Sequence, residues 1–256
     1  MKRLILGDIH GHWQTAYDIY NKENPELVII LGDYVDGFSH GTAEEAKECL
    51  DKIRELKQSH EQKYGENTFI TIIGNHDYHY IQWGEHYSGY RYQTQMLCGG
   101  LLKEMFEEGE LVFIYVDRKN KSIYSHAGIS NTWIKEEVGE NVPVDELNET
   151  VSPECYRFTL KGGFDMYGDT IYSSPIWIRP FSLGKDQLIV EGEEWRQVVG
   201  HTQCKKIIDF NIEKFVDFKE HTNLILCDSL PRQYMVENLN DDKVIIDVEY
   251  KDYEQI

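Results

Sequence analysis

An α/β fold is predicted for this chain, and two observations predict it. Short apolar runs alternate with amphipathic helical segments over the first third, and strand-like runs resume after residue 196. A run of four or five apolar residues bounded by turns reads as a buried strand. Helices between such strands imply parallel pairing with right-handed crossovers. A third observation concerns chemistry: Asp, Asn or His follows most of these runs, and ligands of open α/β sheets sit beyond the carboxyl ends of the strands.

Taken in order, Arg3 to Leu6 is the first strand, and Trp13 to Lys22 has helical spacing through Ala16, Ile19 and Tyr20. Leu27 to Leu31 is a continuous apolar strand. Thr42 to Lys57 is a longer helix with Thr42 as its N-cap and Ala43, Ala46, Cys49, Leu50, Ile53 and Leu56 on one face. Phe69 to Ile73 is a third buried strand. The tyrosine-rich stretch from Tyr78 to Tyr92 reads as an irregular loop. A helix over Leu101 to Phe106, a strand over Leu111 to Val116 and a strand ending at His126 follow. Residues 131–196 carry a polar helix near Val144 to Glu149, Gly162-Gly163 and several prolines. Like residues 78–92, they read as an insertion facing the site. Strands resume at Gln197 to Val199, Leu224 to Cys227, Gln233 to Glu237 and Val244 to Glu249, with Asn240-Asp241-Asp242 turning the last hairpin. Nothing divides residues 1–256, so a single domain is expected.

Composition narrows the function classes. Hydrophobic content of 41% and charged content of 28% suit a folded globular chain. No apolar run approaches the roughly 18 residues of a membrane span. Met1-Lys2-Arg3 followed by Leu4-Ile5-Leu6 runs straight into Gly7-Asp8, so a buried strand is expected there rather than a secretory leader. Five scattered cysteines (Cys49, Cys98, Cys155, Cys204, Cys227) form no Cys-x-x-Cys pair, and a reducing cytoplasm is expected. A net charge of −19 without a basic run argues against stable nucleic-acid binding.

Six short words occur in order: Gly7-Asp8-Ile9-His10-Gly11, Gly32-Asp33-Tyr34-Val35-Asp36-Gly37, Gly74-Asn75-His76-Asp77, Ser125-His126-Ala127-Gly128, Trp177-Ile178-Arg179-Pro180 and Gly200-His201-Thr202. Carboxylate, amide and imidazole groups raised from several strand ends are what a two-cation site needs. Asp8 and His10, two apart at a strand end, are expected to share a face. Each word alone is weak, because a loop Asp often caps a helix and a lone His is often structural. Together, six groups of metal-ligand type at turns after apolar strands make a metal centre the better reading.

The set GDIHG, GDYVDG, GNHD, SHAG and GHT resembles the calcineurin-like metallophosphoesterases. Within them it is most similar to the Ser/Thr protein phosphatase branch, which also holds bacterial and phage phosphatases and diadenosine tetraphosphatases. The resemblance spans residues 7 to 202. It implies a central β-sandwich flanked by helices, a four-layer αββα arrangement. It also implies two divalent cations, with Mn first and Fe, Zn, Ni or Co possible. Asp8, His10 and Asp33 are implied on one cation, with Asp33 bridging to a second held by Asn75, His126 and His201. Where many relatives have GHxH this chain has Gln203, the single-His form of the phosphatase branch.

The implied reaction is in-line attack on phosphorus by a hydroxide shared between the cations. His76 is the expected acid for the leaving group, Asp36 is placed to hydrogen-bond His76, and Asn75 also touches substrate. The branch usually reads GDxVDRG, with an Arg that clamps phosphate; here Gly37 stands in that place. Arg179 is the first substitute and Arg91 the second, since a guanidinium fork suits two phosphoryl oxygens. His12, His40, His79 and His86 match no ligand position and are expected to be solvated or supporting, and Asp228 structural. The expected activity is phosphomonoester hydrolysis of the Ser/Thr phosphatase type on a phosphorylated small molecule, nucleotide or phosphoprotein. The alternatives are a dinucleoside polyphosphate or nucleotide hydrolase, for which the tyrosines could stack a base, and a metal-binding module without catalysis.

Overall fold

The computed structural model describes residues 1–36, 41–81, 89–139, 143, 146, 169–211 and 223–253. Two mixed sheets face one another. The first has six strands in the order β13 (Ile245–Asp252), β12 (Gln233–Leu239), β1 (Lys2–Leu6), β2 (Leu27–Ile30), β3 (Phe69–Ile72), β4 (Leu111–Val112). The second has five, in the order β10 (Ile208–Asp209), β11 (Leu224–Leu226), β9 (Arg196–Val199), β6 (Ser122–Ser125), β5 (Ile114–Asp117). A short ribbon, β7 (Ile189–Val190) with β8 (Glu193–Glu194), stands apart.

The apolar runs explain the layers. β1, β2 and β3 are parallel neighbours, each buried on both faces or nearly so. On one side Ile5, Ile29, Leu31 and Ile72 meet Tyr124, Val198 and Ile225 of the second sheet. On the other, Leu4, Leu6, Val28 and Ile30 meet α1 (Trp13–Glu23), α2 (Ala43–Tyr64) and α4 (Tyr92–Glu107). Outside the second sheet, Val199, Leu224 and Leu226 pack on Ile178 and Leu183, the latter in the short helix α5 (Pro180–Lys185). Helix, sheet, sheet and helix make the four-layer α/β fold. Arg3 pins the sheets together at the end remote from the candidate centre. Its guanidinium donates to Glu237 at 2.7 Å, Tyr124 at 2.6 Å and Asp117 at 2.8 Å.

Several boundaries differ from the sequence reading, each for a local reason. α2 begins as read, with Thr42 Oγ1 accepting from Glu45 N and Glu45 answering Thr42 N in a capping box. It runs on to Tyr64, because buried His60 packs on Tyr20 and Phe69 where the apolar face had ended at Leu56. α3 (Asn75–Ile81) and α4, which starts at Tyr92 rather than Leu101, make both ends of the tyrosine stretch helical. The single strand read over Leu111 to Val116 is two: β4 pairs with β3, and after Phe113 the chain crosses to pair β5 with β6 in the other sheet. All of the helix read near Val144 to Glu149 except Glu146, together with Gly162-Gly163, Gly37, His40, His86 and Cys155, lies outside the described residues.

Candidate metal centre

Loops leaving β1, β2 and β3 meet loops leaving β6 and β9 at one end of the sandwich. Backbone bonds join them: Ile9 N to Gly32 O at 3.2 Å, Gly11 N to Tyr34 O at 3.3 Å and Gly200 N to His126 O at 2.8 Å. Asp8 ties the two sheets directly, both its oxygens accepting from His201 N at 3.0 Å.

β1 ends at Leu6, so the shared-face argument for Asp8 and His10 does not hold. His10 reaches the site through a left-handed backbone, φ 42°, which turns its ring back until Nε2 lies 3.9 Å from Asp8 Oδ2. Asp33 (φ 51°), Asp36 (φ 61°) and His201 (φ 62°) are also left-handed. Such residues cost on the order of 1 kcal/mol each and cluster where geometry serves function. Close approach also explains two glycines: a Cβ on Gly74 would stand 2.0 Å from Asp33 Oδ1, and one on Gly200 2.1 Å from Asp8 Oδ1.

The side chains converge with their lone pairs inward. His126 Nδ1 donates to Leu31 O at 2.7 Å, which leaves Nε2 bare, and that nitrogen lies 2.9 Å from Asn75 Oδ1. His201 Nε2 donates to Trp177 O at 3.2 Å, leaving Nδ1, again 2.9 Å from Asn75 Oδ1. Carbonyl partners of this kind fix the tautomer of a ligating imidazole. Three acceptor atoms turned toward one another suit a cation among them. Asp33 stands between this group and His10: its Oδ2 is 3.6 Å from His126 Nε2 and 3.6 Å from His10 Nε2, while its Oδ1 accepts from His76 N at 2.9 Å.

Charge in the centre tells the same story. Burial, then the charges of Asp228 and Asp33, push Asp8 well above its ordinary carboxyl value. Burial and Asp33 push Asp228 up to about 7. Burial would also raise Asp33, but His126, His76 and His10 outweigh it and hold it low. Burial, the largest cause at each, lowers His10, His126 and His201 from their ordinary value, a direction that favours the bare nitrogen a cation needs. Buried carboxylates in mutual repulsion beside neutral imidazoles fit a cation pair. Asp8, Asp33 and His126 hold ligand atoms within 4.8 Å of one another.

Beside the centre, Asp36 organises a second cluster. His76 Nδ1 lies 3.7 Å from Asp36 Oδ2, beyond hydrogen-bond length, whereas His79 Nε2 is at 3.0 Å and Tyr80 OH at 2.5 Å. His79, expected to be solvated or supporting, is fully buried against Asp36. Burial lowers the His76 pKa, but Asp33 and Asp36 outweigh it and the net shift is upward. Arg91 is drawn into this cluster, donating to Asp36 Oδ1 at 3.1 and 3.3 Å and to Gly41 O. Arg179 lies on the other flank, where it donates to His201 O at 3.3 Å and Thr202 Oγ1 at 3.2 Å and stacks toward Trp177.

One residue of the GNHD word carried no assigned role in the sequence reading. Asp77, fully buried, accepts from Asp33 N at 2.8 Å, Tyr34 N at 2.9 Å, Gly74 N at 3.0 Å and Val35 N at 3.4 Å. It holds the turn that presents Asp33. Its signal was the word itself, in which an acid recurs two residues after Asn75. Asp228, read as structural, lies beside Asp8, and Asp228 O accepts from Cys204 N at 2.8 Å.

Comparison with known proteins adds an independent line. A search of curated proteins finds no significant match. The chain aligns over its whole length with a serine/threonine phosphatase from Saccharomyces cerevisiae similar to human phosphatase PP5. That match has 12% identity and a TM-score of 0.58, and covers 80% of that structure. Yfce, a phosphoesterase from E. coli, matches over 97% of this chain and 98% of its own at 11% identity and a TM-score of 0.35. At 12% identity the first of these shows likeness of fold alone. The calcineurin-like phosphoesterase family model matches residues 1–227, nearly the whole chain. On that match the chain belongs to the calcineurin-like phosphoesterase family, whose members are metal-dependent hydrolases of phosphoesters.

Proposed function

We propose that this protein is a phosphomonoesterase of the Ser/Thr phosphatase type, working with two divalent cations. The observation that carries the reading is the place of Asp33 Oδ2, equidistant at 3.6 Å from His10 Nε2 and His126 Nε2. Asp33 would be shared by two cations, with Asp8 and His10 completing one ligand set and Asn75, His126 and His201 the other. Bound divalent cations bring water toward ionisation near neutral pH and neutralise phosphoryl oxygens. Manganese is our first choice, since the donors are carboxylate, amide and imidazole without thiolate.

The chain's own groups do the rest. His76, held between Asp33 and Asp36, keeps a proton for the departing alkoxide, and Asp36 favours the charged imidazole. Arg179 meets a phosphoryl oxygen from the His201 side. Arg91 acts through Asp36, which its guanidinium holds in place. Among the described residues no helix is long and apolar enough to cross a membrane, and four cysteines are free and buried. We place the enzyme in the cytoplasm, acting on a phosphorylated small molecule, nucleotide or phosphoprotein. Turnover of p-nitrophenyl phosphate by protein reconstituted with Mn²⁺, Ni²⁺ or Co²⁺ tests the reading. Cleavage that is lost on chelation and restored by metal supports it; none with any of the three refutes it.

A further inference from the structure

The centre opens on one flank into a cavity of about 320 Å³ that no step above uses. His10 and Asp36 form its reaction side, and Trp13, Thr42, Glu45 and Glu48 are among its other walls. Trp13 also lines a trough of about 500 Å³ between α1 and α2, with Tyr17, Tyr20, Ile53 and Leu56. Cavity and trough share the Trp13 indole and lead outward from the side of the centre where Asp36 stands. From Glu45 to Glu55 the α2 wall is about 15 Å long at 1.5 Å per residue. An extended chain needs about 3.3 Å per residue, so four or five residues fit along it.

Its chemistry selects what can lie there. Glu45 and Glu48 project from exposed positions on α2. Arg91, the cation of the cavity wall, is already engaged by Asp36 and Gly41 O. Lys52 in the trough is paired with Glu55 at 2.7 Å. The near cavity is thus acidic. A polyphosphate tail would meet like charge there. A Lys or Arg side chain would meet carboxylates, with its stem against Trp13 and Tyr17. Tyr17 is 45% exposed, an aromatic face turned outward.

We infer that this channel holds the leaving-group side of the substrate, and that the substrate is an extended phosphopeptide with basic residues beside the phosphorylated hydroxyl. This rests on the phosphomonoesterase reading and names the substrate class within it.

The test compares kcat/KM of metal-reconstituted protein on four substrates: p-nitrophenyl phosphate, phosphopeptides flanked by Lys/Arg or by Glu/Asp, and diadenosine tetraphosphate. The basic phosphopeptide is expected to lead the acidic one by about two- to fivefold for each carboxylate it meets, the range of exposed ion pairs, and the lead should shrink in high salt. Glu48→Gln should reduce that ratio and Glu48→Arg invert it. Glu193→Gln, on the distant β8, should leave it unchanged. Equal rates on both phosphopeptides, or preference for diadenosine tetraphosphate, with p-nitrophenyl phosphate still cleaved, overturns this inference alone. Failure to cleave any of the four, p-nitrophenyl phosphate included, overturns the phosphomonoesterase reading and the inference with it.

Discussion

Gly74→Ala is the sharpest perturbation the fold offers. The added Cβ would lie 2.0 Å from Asp33 Oδ1, 2.7 Å from Asp33 Cγ and 2.5 Å from the backbone Asp33 N. Side-chain rotation could relieve the first two contacts, but not the third. The turn must open, and the carboxylate must retreat by about 1 Å to reach a normal separation. That movement breaks the bond from His76 N to Asp33 Oδ1 and loosens the bond from Gly74 N to Asp77. Overpacking of this kind costs about 1–3 kcal/mol of stability. Displacement of a positioned catalytic group by 1 Å can lower turnover about 100-fold. The assay is urea denaturation alongside metal content and p-nitrophenyl phosphate turnover. Gly65→Ala serves as the control. Gly65, unlike Gly74, has positive φ, 105°, and nothing beyond its chain neighbours lies within 4 Å of its Cβ position, so only backbone strain of about 1–3 kcal/mol is added. Gly65→Ala should keep its metal and turnover. A Gly74→Ala protein with unaltered stability, metal and turnover would refute the reasoning.

Other outcomes follow from named contacts. His76→Asn should lower turnover by about 10²–10⁴-fold while metal content stays near that of the unaltered protein; equal losses of both would make His76 structural rather than catalytic. Asp77→Asn sets an amide N–H against backbone N–H groups of the β2 turn and should cost about 1–3 kcal/mol, read as a lower urea midpoint. Glu23 is buried, which alone raises its pKa, yet bonds from Tyr234, Lys2 and Lys251 outweigh this and depress it below 4.5. The stability it contributes is therefore complete above pH 4.5 and lost as pH falls through the depressed value. Glu23→Gln should lower the urea midpoint at pH 7, and the gap should close toward acid pH. A gap that widens there would contradict the sign.

Much of the first sheet was legible because its strands are unbroken apolar runs and α2 announces itself through Thr42 and its buried stripe. Features that depend on neighbours were not. His60 looks like part of a polar tail until Tyr20 and Phe69 are seen beside it, and so α2 reads seven residues short. Phe113 gives no sign that the chain changes sheets there. At the candidate centre, residue types and order were readable from the glycine-flanked words, and the fold brings those residues together. The left-handed turns of His10, Asp33, Asp36 and His201 were not readable, because sterics disfavour them locally and only contacts distant in sequence hold them. The four N–H bonds to Asp77 were hidden for the same reason. Arg91 shows the limit most clearly: from sequence it was a candidate for phosphate, and in the fold its guanidinium is bonded to Asp36.

If Asp33 is shared by two cations, anomalous scattering from crystals grown with Mn²⁺ will reveal it. Two peaks are expected flanking Asp33, one beside Asp8 and His10 and the other beside Asn75, His126 and His201. A single peak, or none near Asp33 in fully reconstituted protein, would contradict it.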